Sequence, residues 1–455
     1  MSATEQGILH LIRFADMSKW SANVSVFDGV KASYPLSQLS KVLKRIKEPI
    51  IIEDDCLYKR ITVRLYGQGV LQRDEVLGKE IGTKRQFVAH AGQLIISRID
   101  ARNGAFGIVP EELEGAIVTN DFWLFDVHDA LPQYLMLVMS SELFQKYWQT
   151  QSSGTTNRQR VGEDDFLQSK IALPSIEEQQ ALLDAYNASI QKADNTERLS
   201  AKEHINSELY LFDSLGIVPK ASSKHNPILQ TIHFVDTVQW GYDKNARCFP
   251  FGFKKYKPFS FAAKPSWIKD FYRGKSPKYS DKGSKFILNQ KCNRVNEIVT
   301  DYAKTVDDEW LSSIPAGVLT RKGDILINST GEGTLGRATC IAEDDHVGLA
   351  YDSHVLLLRV NEKEVDPQLL VAIINSSYGQ AQVERYKSAQ ATKQTELGIE
   401  NTKKFLFPLP SISEQRQIAA EIQKREIKAK ALRGEAESLR QRAKKEFEEA
   451  VFGGV

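Results

Sequence analysis

The sequence predicts an α+β protein in which two similar domains, each a mixed sheet with helices, are joined by two long antiparallel helices that form a coiled coil. Two observations predict this architecture: a motif that occurs twice, and strand-like runs that recur at nearly the same offset. The motif is Leu-Pro-Ser-Ile-x-Glu-Gln, at residues 173–179 and again 236 positions later at 409–415. Because self-similarity at a fixed period typically marks a repeated structural unit, we expect an internal pseudo-twofold repeat.

Each copy of the motif carries the signals of a helix start. Ser175 is followed three residues later by Glu178, and Ser411 is followed by Glu414. In such a capping box the serine hydroxyl accepts a free N–H of the first turn, and the carboxylate accepts the N–H of the serine. Both motifs are therefore predicted to open long helices.

An apolar stripe follows each helix start. In the second helix the stripe repeats about every 3.5 residues, which is typical of a coiled-coil seam, whereas the first stripe is looser. We expect the two helices to pack on each other; the alternative is two unrelated amphipathic helices, each packed on its own domain. The predicted seam residues are Ile176, Leu183, Tyr186, Ile190, Ala193, Ile205, Leu209 and Phe212 in the first helix, and Ile418, Ile422, Ala429, Leu432, Ala436, Leu439 and Ala443 in the second.

Strand-like runs precede the first long helix and recur after it. Residues 60–65 alternate polar and apolar side chains, residues 93–98 and 122–126 are mostly apolar, and Pro132 starts a predicted helix through Trp148. Residues 323–328 repeat residues 92–97 at an offset of 231. The sequence therefore predicts a first domain at 1–172, a long helix at 173–215, a second domain at 216–408 and a second long helix at 409–455.

Length and composition exclude several classes of protein. A chain of 455 residues, 42% of them hydrophobic, is expected to fold into two or three soluble domains. The chain has no run of eighteen apolar residues, and its first residues lack the layout of a signal peptide, so we expect a cytoplasmic protein without a membrane span. The four cysteines lie far apart without a C-x-x-C pair, which argues against a zinc site and a disulfide framework.

The strongest local signal is a basic stretch between Lys244 and Arg294. It holds fourteen Lys and Arg residues against two acids, a net charge of +12, and aromatic residues are interleaved with them. Clustered positive charge attracts phosphate and releases counterions, while most of the aromatic rings are expected to belong to the core. The candidate contacts with a polyanion in this stretch are Lys254, Lys255, Arg273, Lys275, Lys278 and Tyr279.

Two polar loops at equivalent positions of the repeat form a second candidate site. Residues 152–160 place small hydroxyl residues beside an amide and two arginines, the residue types that contact phosphates and base edges. A merely solvated connection is the alternative. The loop around residues 391–394 follows at an offset of 236. The candidates are Thr155, Thr156, Asn157 and Arg158 in the first loop and Lys393 in the second.

The sequence contains no recognisable catalytic constellation. Residues 331–339 superficially resemble a phosphate-binding loop, but Arg337 and Ala338 stand where Lys and Ser or Thr are required, so we exclude nucleotide hydrolysis. We predict a turn instead, with Asn328, Thr330 and Arg337 free to touch a ligand. The only acid–histidine grouping, Asp352 with His354 and His346, lacks the spacing of a metal site, and we interpret it as structural.

Together these residues resemble the specificity subunit of type I restriction–modification enzymes. The resemblance covers nearly the whole chain and rests on the twofold layout, the repeated motif, residues 92–109 (GQLIISRIDARNGAFGIV), and residues 273–277 followed by 323–337 (GDILINSTGEGTLGR). In that family each globular domain reads one half of a split, asymmetric DNA sequence. The resemblance implies a non-catalytic subunit that directs adenine methylation and cleavage by its partners.

The resemblance also implies partners, cofactors and contact residues. The expected partners are double-stranded DNA, two modification subunits with methyltransferase activity, and motor-nuclease restriction subunits; S-adenosylmethionine, ATP and magnesium are expected on these subunits, and no cofactor is expected on this chain. A coiled-coil scaffold that binds only proteins, or a self-contained DNA-modifying enzyme with an unrecognised motif, is the alternative. The predicted DNA contacts are the candidates named above together with Arg98, Arg102 and Asn103.

Overall fold

The computed structural model describes residues 32–151, 162–220, 249–331, 333–389 and 395–453. The chain forms two compact units. Unit 1 combines residues 1–196 with residues 434–455, and unit 2 consists of residues 197–433. Unit 1 is therefore assembled from both ends of the sequence, and each long helix contributes one part to each unit.

Short helices pack beside the sheets of both units, and two long helices connect the units in the sequence. The short helices are α1 (Pro132–Ser140), α2 (Glu142–Gln151) and α3 (Glu163–Gln168) in unit 1, and α5 (Asp308–Ser312), α6 (Pro367–Asn375), α7 (Ser377–Tyr386) and α8 (Ile399–Thr402) in unit 2. The long helices are α4 (Ile176–Leu215) and α9 (Ile412–Phe452). None of the helices in the described ranges is both long and apolar enough to cross a membrane.

Unit 1 contains a four-stranded antiparallel sheet in the order β2-β10-β7-β8 and a five-stranded sheet in the order β3-β6-β9-β4-β5, in which β9 and β4 are parallel. Strands β1 and β11 form a further pair. The strands are β1 (Leu36–Gln38), β2 (Leu43–Ile46), β3 (Pro49–Ile51), β4 (Leu57–Val63), β5 (Val70–Leu77), β6 (Arg85–Ala89), β7 (Leu94–Ser97), β8 (Phe106–Ile108), β9 (Ala116–Val118), β10 (Phe122–Val127) and β11 (Lys170–Ala172).

Unit 2 contains a four-stranded antiparallel sheet in the order β15-β22-β20-β21, and its remaining strands form short pairs. The strands are β12 (Ile217–Pro219), β13 (Phe251–Phe253), β14 (Phe259–Ser260), β15 (Ile268–Arg273), β16 (Lys285–Ile287), β17 (Asn293–Arg294), β18 (Glu297–Ile298), β19 (Lys304–Val306), β20 (Ile325–Asn328), β21 (Ala338–Cys340), β22 (Val355–Val360), β23 (Ser388–Ala389), β24 (Thr395–Glu396) and β25 (Leu406–Phe407).

The four-stranded sheets of the two units are copies of each other. In each, the strand after the glycine of the repeated run, β7 or β20, lies inside the sheet because neighbours pair on both sides. All four residues of either strand are buried, as is usual for a strand covered on both faces. The predicted α+β class and internal repeat are confirmed. The predicted single helix from Pro132 to Trp148 is two helices, because Ser141 adopts an extended conformation and its hydroxyl accepts the N–H of Phe144.

Both predicted capping boxes are present. Ser175 N donates to Glu178 Oε2 at 2.9 Å, and Glu178 N donates to Ser175 Oγ at 3.3 Å. Ser411 and Glu414 make the same reciprocal bonds at 3.1 and 3.4 Å. The helical residues themselves begin one position after each serine, at Ile176 and Ile412.

The glutamine that ends each motif attaches the long helix to its unit. Gln179 is fully buried; its Oε1 accepts the N–H of Leu131 at 2.8 Å, and its Nε2 donates to Pro174 O at 2.9 Å. Gln415 repeats this arrangement with the N–H of Asp366 and with Pro410 O, both at 2.9 Å. Since Leu131 and Asp366 are the caps of α1 and α6, one amide fixes a long helix against a short one in each unit.

The parts of α4 and α9 within each unit pack antiparallel. In unit 1 the ring of Tyr186 meets that of Phe447 with centroids 6.1 Å apart, and the later Asp194 accepts from the earlier Arg440 at 2.8 Å. The C-terminal residues of α9 also join the core of unit 1, where Phe447, Val451 and Phe452 are buried.

In unit 2 the two helices approach closely through small residues. Ser200 Oγ donates to the backbone carbonyl of Ala429 at 2.7 Å, and Glu203 accepts from Lys428 Nζ at the same distance. The hydroxyl replaces water around that carbonyl, so a polar residue is tolerated in the seam. The coiled-coil prediction for the second helix is confirmed, since Ile418, Ile422 and Ala429 are buried in unit 2.

Part of the predicted seam of the first helix is wrong. Ile176, Ile205 and Leu209 are exposed. Thr196, Ser200 and Ser207 are buried on the paired face instead. The small polar residues follow the spacing of a seam, but the larger apolar residues beside them in the sequence suggested the opposite face.

We predict that Leu211→Ala lowers the free energy of unfolding by about 2–5 kcal/mol, because Leu211 is buried in the core of unit 2 and its truncation leaves a cavity. The matched control is Leu209→Ala, two positions earlier on the same helix, where the change is expected to stay within about 0.5 kcal/mol. Urea unfolding of the purified chain measures both. Equal losses of unfolding free energy in the two variants would mean that Leu209 is as buried as Leu211, which would contradict the paired face assigned to this helix.

Candidate nucleic-acid interface

The basic loop of unit 2 begins where β15 ends. Gly274 lies so close to the chain at Asp352 that a Cβ atom there would stand 2.0 Å from the carbonyl oxygen of Asp352, so no larger residue fits. Beyond it, Lys275 and Lys278 are exposed. Lys278 lies 3.4 Å from Asp307, and Lys275 has no ion-pair partner among the described residues. The close approach of Gly274 thus fixes the base of a loop that presents two cations to solvent.

Arg273 has a different role from the two lysines. Its Nε donates to Ser353 O at 2.9 Å, and its guanidinium also forms an ion pair with Glu396. Glu396 lies just after residues 390–394, the segment that contains Lys393 and falls outside the described residues. Arg273 therefore attaches the end of the second polar loop to the strand that carries the basic loop.

Tyr279 is exposed at the far end of the basic loop. Lys304 Nζ lies 5.2 Å from the centre of its ring, a cation–π contact that fixes both side chains at the surface. Lys254 and Lys255 lie elsewhere: Lys255 Nζ donates to the carbonyl of Asp213, in the last turn of α4. A cation at a helix C-terminus is stabilised by the helix dipole, so Lys255 has a structural partner.

Asn328 and Thr330 are not free to touch a ligand, which corrects the sequence prediction. Asn328 is fully buried; its Nδ2 donates to Gln290 O and its Oδ1 accepts from Asn293, both at 3.0 Å. The hydroxyl of Thr330 contacts Gln290 Oε1 at 3.1 Å and His354 Nδ1 at 2.7 Å. Their burial follows from the position of β20 inside the sheet, where neighbouring segments cover the end of the strand.

The remaining residues of this turn agree with the prediction of a turn after β20. Arg337 is partly exposed and its guanidinium donates to Gly333 O at 2.9 Å. Asp352 accepts the N–H of His354 at 2.9 Å, and burial raises the pKa of its carboxyl. Within the described ranges no group of three His, Cys, Asp or Glu side chains is suited to hold a metal ion. The structural interpretation of Asp352 and His354 fits these contacts.

In unit 1, Arg98 is the candidate with the most unusual surroundings. It follows the last residue of β7, and its guanidinium lies 5.6 Å from the centre of the Trp123 ring. Its Nε is buried without a hydrogen-bond partner among the described residues, whereas the residue as a whole is only partly buried. A ligand from outside the protein would therefore meet the terminal nitrogens of the guanidinium and not Nε.

Arg45 is a neighbour of Arg98 that the sequence did not indicate as a site residue. Its guanidinium donates to Leu124 O at 2.9 Å, and its Nε lies 3.5 Å from Glu163, the first residue of α3. Burial lowers the pKa of Arg45, and the charge of Glu163 opposes this shift. Nothing local in the sequence pairs Arg45 with Glu163, since the two residues meet only in the folded unit.

Positions 98 and 329 are equivalent in the repeat. The N–H of Arg98 donates to Asp121 O and the N–H of Ser329 donates to His354 O, both at 2.9 Å. The offset of 231 is the one that relates residues 92–97 to 323–328. Ser329 Oγ is also buried, and it has no partner within the part of the chain that the structure describes. At this place each unit therefore has a buried polar atom without a described partner, on an arginine in unit 1 and on a serine in unit 2.

The structure describes the other candidate residues of unit 1 only in part. Asn103 accepts the N–H of Tyr66 through its carbonyl at 2.7 Å, which places it in a turn between β7 and β8. The backbone of Arg102 belongs to the same turn, and its side chain lies outside the description. Thr155, Thr156, Asn157 and Arg158 also fall outside the described residues.

Comparison with known proteins gives a family match over part of the chain and a shared fold. Residues 33–202 match the sequence model of the type I restriction modification DNA specificity domain. No curated protein sequence matches the chain. A chain solved in work on the complex assembly and conformational transition of the type I R-M system is 16% identical, with a TM-score of 0.56, covering 94% of this chain and 99% of that one. This match extends the shared fold to nearly the whole chain.

Two further solved structures are similar at lower scores. The HsdS subunit from Thermoanaerobacter tengcongensis is 15% identical, with a TM-score of 0.43, over 94% of this chain and 98% of that one. The type I restriction-modification S subunit from M. genitalium is 12% identical, with a TM-score of 0.43, over 93% of this chain and 97% of that one.

We predict that Asn328→Ala destabilises unit 2 by about 1–3 kcal/mol, because it leaves the Gln290 carbonyl without its donor and removes one of the three acceptors of the buried Asn293 amide. Arg337→Ala, on the same turn but partly exposed, is the control and should change the free energy of unfolding by less than about 0.5 kcal/mol. Chemical denaturation measures both. A neutral Asn328→Ala variant would contradict the supporting role given to this amide.

Proposed function

We propose that this chain, whose residues 33–202 match the type I restriction modification DNA specificity domain, reads a split DNA sequence with one half-site contacted by each unit. In this role it would be the DNA-recognition subunit, and partner subunits would supply the catalysis. Three contacts are proposed to read or hold the DNA: Arg98 in unit 1, the basic loop in unit 2, and the two polar loops. The first of these carries the proposal furthest.

The position of the Arg98 guanidinium supports direct contact with DNA. It stands at the end of a buried strand, on the face of Trp123, so its orientation is fixed before any ligand arrives. A fixed guanidinium fork is the group that pairs with O6 and N7 of guanine, the commonest specific contact in the major groove. The equivalent residue Ser329 lacks this fork, which supports different sequences for the two half-sites.

The basic loop of unit 2 supports contact with the phosphate backbone. Lys275 and Lys278 are exposed point charges on flexible stems, which suit phosphates and carry little sequence information. They are proposed to act with Arg273, Tyr279 and the exposed side of Arg337. Lys254 and Arg102 remain proposed contacts on the basis of charge, and Asn103 on the basis of its turn.

The polar loops are proposed to reach base edges through Thr155, Thr156, Asn157 and Arg158 in unit 1 and Lys393 in unit 2. The contacts at their ends support this. Glu163 follows the first loop and Glu396 follows the second, and each is ion-paired to an arginine of its four-stranded sheet, Arg45 or Arg273. Each loop is thereby tied to the rigid part of its unit, which favours precise contacts.

The remaining chemistry is proposed to lie on partner subunits. Two modification subunits would methylate adenine with S-adenosylmethionine, and motor-nuclease subunits would use ATP and magnesium for cleavage. As a DNA-binding subunit of this kind the chain is proposed to act in the cytoplasm. The domains proposed to read DNA are the predicted ones at 1–172 and 216–408, each followed in the sequence by a long helix.

We predict that the double variant Lys275→Ala and Lys278→Ala binds all duplex sequences more weakly and that its plot of log affinity against log salt flattens by up to about two units, since each phosphate contact contributes about 0.9. The control, Lys322→Ala with Lys363→Ala, removes the same charge from exposed positions at the opposite end of the sheet. Fluorescence anisotropy from low to moderate salt measures the slope. Identical slopes for both variants would remove the basic loop from the interface.

We predict that Arg98→Ala loses about 1–3 kcal/mol of discrimination at one base pair of a single half-site, because one bidentate contact is removed. Arg85→Ala, an exposed arginine of β6 in the same unit, is the control and should leave sequence preference unchanged. Selection from a random duplex library reads out both half-sites at once. A uniform loss at every sequence would assign Arg98 to a phosphate instead of a base.

A further inference from the structure

We propose that His90 is a positioning residue of unit 1: its imidazolium ring links the two sheets of the unit, and recognition of one half-site therefore weakens at alkaline pH. The proposal rests on the proposed function and adds to it a pH dependence that concerns one unit only. His90 does not touch DNA in this role. It acts through the turn that contains Arg102 and Asn103.

The ring of His90 lies between two carboxylates. Its Nδ1 is 2.7 Å from Glu114 Oε1, and its Nε2 is 3.0 Å from Glu48 Oε2. An ionised carboxylate only accepts hydrogen bonds, so both contacts are hydrogen bonds only when each ring nitrogen carries a proton. The imidazolium form meets this condition. The ring is therefore a cation that donates in two directions.

The three residues lie on three chain segments that cross between the sheets of unit 1. Glu48 lies between β2 of the four-stranded sheet and β3 of the five-stranded sheet. His90 follows β6 and precedes β7, and Glu114 lies between β8 and β9, so these segments also pass from one sheet to the other. One ring therefore fastens three separate crossings together.

The five-stranded sheet supports the turn that contains two proposed DNA contacts. Tyr66 N, at the tip of the hairpin formed by β4 and β5, donates to Asn103 O at 2.7 Å. Asn103 and its neighbour Arg102 lie in the turn between β7 and β8 of the four-stranded sheet. The tip of one sheet thus holds a turn of the other, so a change in the packing of the two sheets moves the tip against the turn.

The two carboxylates raise the pKa of His90. The hydrogen bond with Glu114 is the largest cause, the bond with Glu48 adds to it, and partial burial opposes both. Glu48 and Glu114 are the charged groups that face the ring in the part of unit 1 that the structure describes. Because the folded pKa lies above the ordinary value of about 6.5, the link is complete below that value and is lost as the pH rises through the folded pKa.

The proton on Nε2 is the one that leaves the ring. Glu114 is held from a second side by the N–H of Ala91, which donates to its Oε2 at 2.6 Å and, together with His90, lowers the pKa of this carboxyl. Glu48 lies farther from the ring than Glu114. A neutral ring that donates from Nδ1 keeps Glu114 and presents a lone pair to Glu48, which then turns to solvent. The side-chain link from the β2–β3 crossing to the other two is thereby lost.

Unit 2 has the same turn with a different side chain. Gly92 and Gly323 have φ values of 82° and 85°, and they are related by the repeat offset of 231. His90 lies two residues before the first glycine, and Arg321 lies two residues before the second. An arginine keeps its charge throughout the range in which histidine titrates. Unit 1 alone therefore carries a titrating group at this turn.

The carboxylate partner is also replaced in unit 2, where Val347 stands in the position of Glu114. The residues that follow them, Gly115 and Gly348, have φ values of 73° and 76°. The N–H of each donates to the carbonyl just before the histidine or its counterpart, at 3.0 and 2.8 Å. The pH dependence is therefore expected at the half-site of unit 1 and not at that of unit 2.

The test compares the unchanged chain with His90→Arg, which keeps the charge, and with His90→Gln, which removes it. Each full-length chain selects duplexes from a random library at about pH 6 and at about pH 8.5, on either side of the histidine range. In the unchanged chain, discrimination at the half-site that Arg98→Ala alters should fall about two- to fivefold between these pH values, the range of an exposed ion pair. The other half-site should stay constant.

The variants separate the charge of the ring from other effects of pH. His90→Arg should show the stronger discrimination at both pH values, because its guanidinium donates to both carboxylates. His90→Gln should show the weaker discrimination at both. The matched control is His128→Gln, which removes an exposed histidine of the same unit and should keep the pH dependence of the unchanged chain.

A second measurement is independent of DNA. Hydrogen exchange, corrected for the chemical exchange rate at each pH, should be about two- to fivefold faster at the higher pH for residues 47–51 and 101–104 of the unchanged chain. The same amides of His90→Arg should exchange equally slowly at both pH values. This comparison reads the link between the sheets directly.

Three results would overturn the proposal: a pH dependence that His90→Arg retains, an equal change at both half-sites, or discrimination and exchange that do not vary with pH in the unchanged chain. Exchange that varies while discrimination stays constant would also overturn the positioning role. Absence of DNA binding by the unchanged chain would instead refute the proposed function, and the exchange measurement would still decide whether His90 links the sheets.

Discussion

One buried amide in each unit determines where a long helix begins and which way it points. Gln179 and Gln415 each bond at once to the residue before their own helix and to the cap of a short helix that packs on the sheet. An unsatisfied amide in the same place would cost about 1–3 kcal/mol, so the contacts are made together or not at all. The four-stranded sheet of each unit is positioned from this junction, because the short helix packs in the same core as the sheet.

Most of the fold could be predicted from sequence because its signals are local. The capping boxes need only two residues three apart, and the repeat is visible as a constant offset. The seam of the first helix could not be predicted, because Ser200 and Ser207 are buried by hydrogen bonds that only the paired helix supplies, while Ile205 and Leu209 are exposed. The break at Ser141 was also hidden, since a serine hydroxyl can either cap a helix or face solvent within one.

The candidate site, like the fold, could be predicted from the sequence only in part. Charge excess predicted the basic loop, and Lys275 and Lys278 are indeed exposed. Sequence could not tell that Asn328 is covered by Asn293 and Gln290, because residue type gives hydrogen-bonding capacity and not the presence of neighbours. The same limitation concealed Arg45. An arginine without an acceptor is recognised only when every possible acceptor around it has been placed.

The composition of unit 1 from both ends of the chain has a consequence during synthesis. Unit 2 is continuous, so all of its residues are synthesised before residue 434, and domains generally fold as units in the order of synthesis. Unit 1 begins first but lacks Phe447, Val451 and Phe452 until the last residues emerge. For nearly the whole of translation its core is open and its apolar surface is available to chaperones or to a neighbouring nascent chain. The half of the molecule that is made first is therefore the half that is completed last.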